Sequence, residues 1–146
     1  MPLSCKTVTL TEVIKFFVID IDGMGIHNGF LRNLGTPASL ERCGEWRFCE
    51  LIEDEFMHLT IPDGTKTLIK DKKLGTTEGN SKSTILKYLK TLKTGNDISP
   101  LIVRSMLQGE REDSSFYIED GAHRAIALKV YFESNPYKLV KAYIGK

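Results

Sequence analysis

The change of hydrophobic period at residue 81 constrains this chain more than any other feature. Ile85, Leu86, Leu89 and Leu92 recur at three- and four-residue spacing, the stripe of an amphipathic helix, whereas earlier apolar residues come in short runs. Asn80 or Ser81 can cap that helix, Lys87, Lys90 and Lys93 favour its negative C-terminal end, and Gly95 can close it. A buried-strand candidate at 100–103 follows, then a polar surface excursion at 108–114 and a strand at 115–118. A helix is predicted at 123–133, stopped by Asn135 and Pro136, and a last strand at 137–144. The C-terminal half thus reads as helix, strand, strand, helix, strand.

The N-terminal half reads as β-rich. Residues 7–21 mix β-branched and aromatic side chains and suggest a strand, or a short turn and then a strand, before Asp22, Gly23 and Gly25 break it. Residues 46–52 and 56–61 are two further strand candidates, divided by Glu53, Asp54 and Glu55. Pro62, Asp63 and Gly64 form a turn signature ahead of 66–70, which predicts a hairpin. Trp46, Phe48, Phe56 and Met57 are expected in the core and His58 half-buried. The expected architecture is one α+β domain over 1–146, β-rich over 1–80.

Composition narrows the function classes. A chain of 146 residues, 41% hydrophobic with 20 Lys+Arg against 19 Asp+Glu, is not disordered by composition. Its apolar runs are far shorter than the ~20 residues a bilayer crossing needs. The first residues lack the pattern of a secretion signal, so a soluble, cytoplasmic protein without a membrane partner is expected. Net charge +1 makes no global case for nucleic acid. The charge is nevertheless split: residues 81–146 hold 11 basic and 7 acidic side chains, a net +4, leaving −3 in residues 1–80. Three cysteines, Cys5, Cys43 and Cys49, without CxxC spacing argue against a disulfide framework and a zinc site. Cys43 and Cys49 read as small, partly buried apolar residues, and the scattered His27, His58 and His123 suggest no metal cluster.

The richest stretch chemically runs from Tyr117 to Ala127, where a strand enters Glu119-Asp120-Gly121 and passes straight into a helix. Glycine permits tight geometry and close approach of a ligand to the backbone. The helix start offers free N–H groups and a positive dipole end, an anion site by construction. Arg124 adds a planar fork that matches phosphate, and His123 a donor or proton-transfer group. Ala122, Ala125 and Ala127 allow close packing on a sheet, and Asp120 can cap the helix or help hold a metal. An ordinary turn with an Asp cap and exposed His and Arg would show the same residues. On this reading Arg124→Ala is expected to abolish ligand binding with the melting temperature nearly unchanged.

The order of elements around this turn resembles the ParB/sulfiredoxin superfamily over roughly residues 81–146. The corresponding pieces are the 81–93 helix with Gly95, the strand opening at Pro100, the Asp120-Gly121-Ala122-His123-Arg124 turn (DGxHR) and the Ala-rich helix behind it. The resemblance implies binding of ATP, ADP or CTP through phosphates, with Gly121, Ala122, His123 and Arg124 at the nucleotide. It implies Mg²⁺ at Asp120, catalytic roles for His123 and Asp120, and a weaker contact from Lys82. Phosphoryl transfer or nucleotide hydrolysis is the implied chemistry, as in the free serine kinase branch. Sulfinic acid reduction is not implied, because Ala122 stands where sulfiredoxins carry their catalytic cysteine.

Other readings remain at this level. A DNA-binding or DNA-cleaving ParB-like accessory protein finds support in the basic C-terminal half, and a non-catalytic regulator of a mobile element or phage would need an unknown protein partner. Asp20-Ile21-Asp22-Gly23 resembles the first motif of haloacid-dehalogenase-like phosphatases, but Met24 and the absence of a following helix pattern argue against it. Gly75 to Ser83 has glycines and a lysine without the spacing of a P-loop.

Overall fold

The computed structural model describes residues 4–13, 38–61, 69–70, 73–74, 80–105 and 116–146; at 4, 38–39, 69–70, 73–74, 80–82 and 120 it describes the backbone alone. The class is α+β. Five strands form one mixed sheet in the order β1-β2-β7-β5-β6: β1 (Ser4–Val8), β2 (Trp46–Leu51), β5 (Leu101–Ser105), β6 (Phe116–Asp120) and β7 (Val140–Gly145). β7 is antiparallel to β2 and parallel to β5, while β6 runs antiparallel to β5. A separate two-stranded antiparallel pair is formed by β3 (Ile69–Lys70) and β4 (Lys73–Leu74). The helices are α1 (Ala38–Glu41), α2 (Glu53–Met57), α3 (Asn80–Lys93) and α4 (Ala122–Phe132).

Strand alternation divides the core into two layers. Cys49 and Leu51 of β2, Leu101 and Val103 of β5, and Ala142 and Ile144 of β7 join Ile85 and Leu89 of α3 and Ala125 to Leu128 of α4. The intervening residues Trp46, Ile102 and Tyr143 form a second cluster with Val13 and Leu40. α3 and α4 therefore cover one face, and residues 10–13 and α1 contribute to the other. Among the described residues, no helix is long and apolar enough to cross a membrane.

The C-terminal elements lie close to their predicted bounds. α3 ends in a Schellman motif: Gly95 N–H donates to Leu92 O at 3.0 Å and Asn96 N–H to Thr91 O at 3.2 Å. That closure needs the left-handed backbone of Gly95, φ 83°. The last strand starts at Val140 rather than 137, because the Tyr137 hydroxyl donates to Leu51 O at 2.6 Å and its ring packs at a tilt against that of Phe132, with centroids 4.8 Å apart.

Several N-terminal expectations are corrected. Residues 56–61 are not a strand, since Glu53, Asp54 and Glu55 open α2, where acidic side chains favour the positive helix end. The Glu55 carboxylate also accepts from Ile52 N–H at 3.0 Å. Phe56 is fully buried as expected, but Met57 and His58 are exposed, with His58 Nδ1 2.7 Å from Asp54 O. The strand foreseen at 7–21 is Ser4–Val8 followed by helical residues 10–13, and residues 14–37 lie outside the described part. The described short antiparallel pair sets Lys70 against Lys73; the expected hairpin turn at 62–64 lies outside the described residues.

The expectation against disulfides is overturned. Cys5 and Cys49 are direct partners in the antiparallel β1–β2 pair, their Cα atoms 4.2 Å apart, and form a disulfide. Such close opposition belongs to the non-hydrogen-bonded sites of an antiparallel ladder. Only the strand register brings together two cysteines 44 residues apart.

Candidate functional site

The turn at 120–124 is assembled by three adjoining elements. β6 delivers Asp120 opposite Ile102 near the start of β5, Gly121 reverses the chain, and α4 begins at Ala122. The register between β5 and β6 shifts by one at Ile102/Val103, leaving Glu119 as an extra residue just before the turn. Bulges of this kind re-aim side chains at strand ends.

Gly121, not Asp120, occupies the N-cap position of α4, at φ 101° and ψ 21°. The proposed Asp120 cap is therefore corrected: a residue in the strand cannot take the half-helical cap position, and Gly121 makes no side-chain cap bond. Gly121 O accepts from Ala125 N–H at 2.8 Å, starting the helix. The first turn of α4 contains no acidic residue.

Arg124 is buried, only 8% exposed, and its guanidinium folds back towards the cap. A Cβ placed on Gly121 would lie 2.8 Å from Arg124 Nη2, 3.0 Å from its Nε and 2.8 Å from Leu101 Cδ2. His123 is half-buried in the same turn. The structure thus brings Gly121, Ala122, His123 and Arg124 into one helical turn next to Asp120, whose side chain lies outside the described part. Lys82 lies in the first turn of α3, and its side chain is likewise undescribed. Asp20, Asp22 and residues 75–79 fall outside the described residues.

A second charged centre was not singled out from sequence. Arg104, 5% exposed on β5, donates from Nε to Glu119 Oε2 at 2.7 Å, and its guanidinium lies 4.6 Å from the Tyr117 ring centroid. The only sequence signal was an arginine directly after the apolar run Leu101-Ile102-Val103. Burial pushes the Cys43 thiol up from its ordinary value, which the Arg104 charge partly offsets. A buried thiol with a raised pKa is a poor nucleophile.

A cavity of about 70 Å³ lies away from the turn, lined among others by Leu92, Ile98, Ser99, Leu128, Tyr131 and Lys138. It adjoins the last turns of α3 and α4, roughly 15 Å along α4 from its cap at 1.5 Å per residue. Among the described residues, no group of three or more His, Cys, Asp or Glu side chains could hold a metal ion. Comparison with family models, curated proteins and solved structures finds no match to this chain.

Proposed function

We propose that this protein binds a nucleotide by its phosphates at the Asp120 to Arg124 turn, in the manner of the ParB/sulfiredoxin-like proteins its C-terminal half resembles. The observation that carries this reading is the position of the Arg124 guanidinium, buried and folded back over the cap of α4. A cation at a helix N-terminus adds to the positive end of the helix dipole, and both attract an anion. The first turn of α4 holds no acidic residue and Gly121 caps it without a side chain, and helix starts with exposed amides are the kind that bind anions.

Within this reading, Arg124 and the amides of Ala122 and His123 take phosphate oxygens, and His123 donates to a phosphoryl oxygen as charge develops in transfer. Mg²⁺ is commonly held by one or two carboxylates together with substrate phosphates. The chain therefore need supply only the Asp120 carboxylate. Phosphoryl transfer or hydrolysis is the chemistry such a complex supports.

Thermal-shift measurements with ATP, ADP, CTP and GTP, each with and without Mg²⁺, test the reading. A ligand that binds the folded state raises apparent stability by mass action. The expected result is a rise with at least one nucleotide that is lost in Arg124→Lys, which keeps the charge but not the fork. No shift with any nucleotide at millimolar concentration overturns it.

A further inference from the structure

We propose that the Cys5–Cys49 disulfide is a thiol–disulfide switch that holds the N-terminal edge strand, and with it part of the cover over Trp46, on the sheet. Among the described residues, β1 pairs only with β2 in this sheet. Its sequence, Ser4-Cys5-Lys6-Thr7-Val8, has little apolar surface besides Cys5 and Val8, and Lys6 and Thr7 are exposed. A polar strand of five residues at a sheet edge is weakly held by its ladder alone. The covalent bond stands one pair from the N-terminal end of β1 in that pairing, between directly opposed residues.

The consequences of release reach beyond the strand. The chain leaves β1 through Leu10 to Val13, and Val13 is fully buried in the cluster of Leu40, Trp46, Ile102 and Tyr143, with Val8 and Leu10 packed against it. Freeing β1 loosens that cover from its N-terminal side, while the helix-covered layer keeps its own core. Cys43 packs with Trp46 in the second cluster, whereas Cys49 belongs to the first, so Cys43 is placed on the other layer of the sheet.

The reductant is a dithiol. One of its thiolates attacks the sulfur of Cys5, which is half-buried, rather than that of Cys49, which is 1% exposed. The S–S bond breaks, Cys49 leaves as a thiolate and takes a proton, and the reductant's second thiol displaces Cys5. Two electrons and two protons pass to the protein, leaving two cysteine thiols and an oxidised reductant.

The test uses the full chain, oxidised with glutathione disulfide or reduced with dithiothreitol, and reads three signals. Trp46, the single tryptophan, reports its cluster by fluorescence; trypsin cleavage after Lys6 reports β1; far-ultraviolet circular dichroism reports the helices. Reduction is expected to red-shift Trp46 emission and speed Lys6 cleavage at least about tenfold, with the helical signal retained. Cys5→Ser should behave as reduced protein under both conditions, and Cys43→Ser should still switch. Three free thiols in the oxidised folded protein overturn the proposal, as do equal emission and cleavage rates in the two states. Loss of the helical signal on reduction also overturns it, because the bond would then be a staple for the whole fold.

Discussion

The guanidinium of Arg124 rests against the bare Cα of Gly121, so close that a methyl group there would lie 2.8 Å from Nη2. This contact makes Arg124 part of the packing as well as of the proposed anion site. Arg124→Ala is therefore expected to destabilise the fold by about 1–3 kcal/mol, through lost packing of the buried stem and head. The nearly unchanged melting temperature expected from sequence held for an exposed side chain, and at 8% exposure that premise fails. Urea denaturation of the variant without ligand measures the cost directly, and a change within about 0.5 kcal/mol would refute the packing role.

Gly121 and Gly95 separate two effects of adding a Cβ. Both have positive φ, 101° and 83°, but space is open around Gly95 and blocked at Gly121 by Arg124 and Leu101. Gly95→Ala should cost about 1–2 kcal/mol, the left-handed backbone term alone. Gly121→Ala should cost about 2–4 kcal/mol, because overpacking adds to that term. Equal losses in denaturant titrations of the two variants would show that the crowding at 121 relaxes freely.

The legible parts of the fold are those with local signals. The stripe of Ile85, Leu89 and Leu92 and the glycine at 95 place α3 within a residue, and Gly121 marks the start of α4. What escaped depends on neighbours far along the chain. The Cys5–Cys49 bond follows from the register of β1 on β2, and the Arg104–Glu119 pair from a one-residue shift between β5 and β6. Glu53, Asp54 and Glu55 misled because acidic residues separate strands as readily as they open helices, and only Phe56 packing on Phe132 and Tyr137 decides the matter. At the candidate site, residue types were readable but the burial of Arg124 was not, since it depends on how α4 packs on the sheet.

The ion pair of Arg104 and Glu119 gives a further test. Their side chains are 6% and 18% exposed, so removing Glu119 takes a carboxylate away from a buried guanidinium. Glu119→Ala should cost about 2–4 kcal/mol, while the double change Arg104→Met with Glu119→Leu should recover most of the loss, because apolar residues of similar volume replace buried pairs well. Denaturation midpoints of the single and double variants check this. A double variant no more stable than Glu119→Ala would assign the loss to altered packing at the bulge rather than to the broken ion pair.

Tyr137 sets an alkaline limit on the fold. Burial raises its hydroxyl from the ordinary 10.0 to about 12, with smaller like-charge contributions from Glu53 and Glu55 and an opposing backbone hydrogen bond at Val140. Its hydroxyl also donates to Leu51 O, a bond only the protonated form can make. Because the folded value lies above the unfolded one, the folded state holds this proton longer as pH rises. The stability it contributes is fully present below about pH 10 and is lost as pH climbs from 10 towards 12. Denaturant midpoints taken between pH 9 and 12 should fall through that window in the native sequence. Tyr137→Phe should begin less stable, because Leu51 O loses its donor, yet fall less steeply over the same range. Parallel curves for the two proteins would place the alkaline loss on other groups.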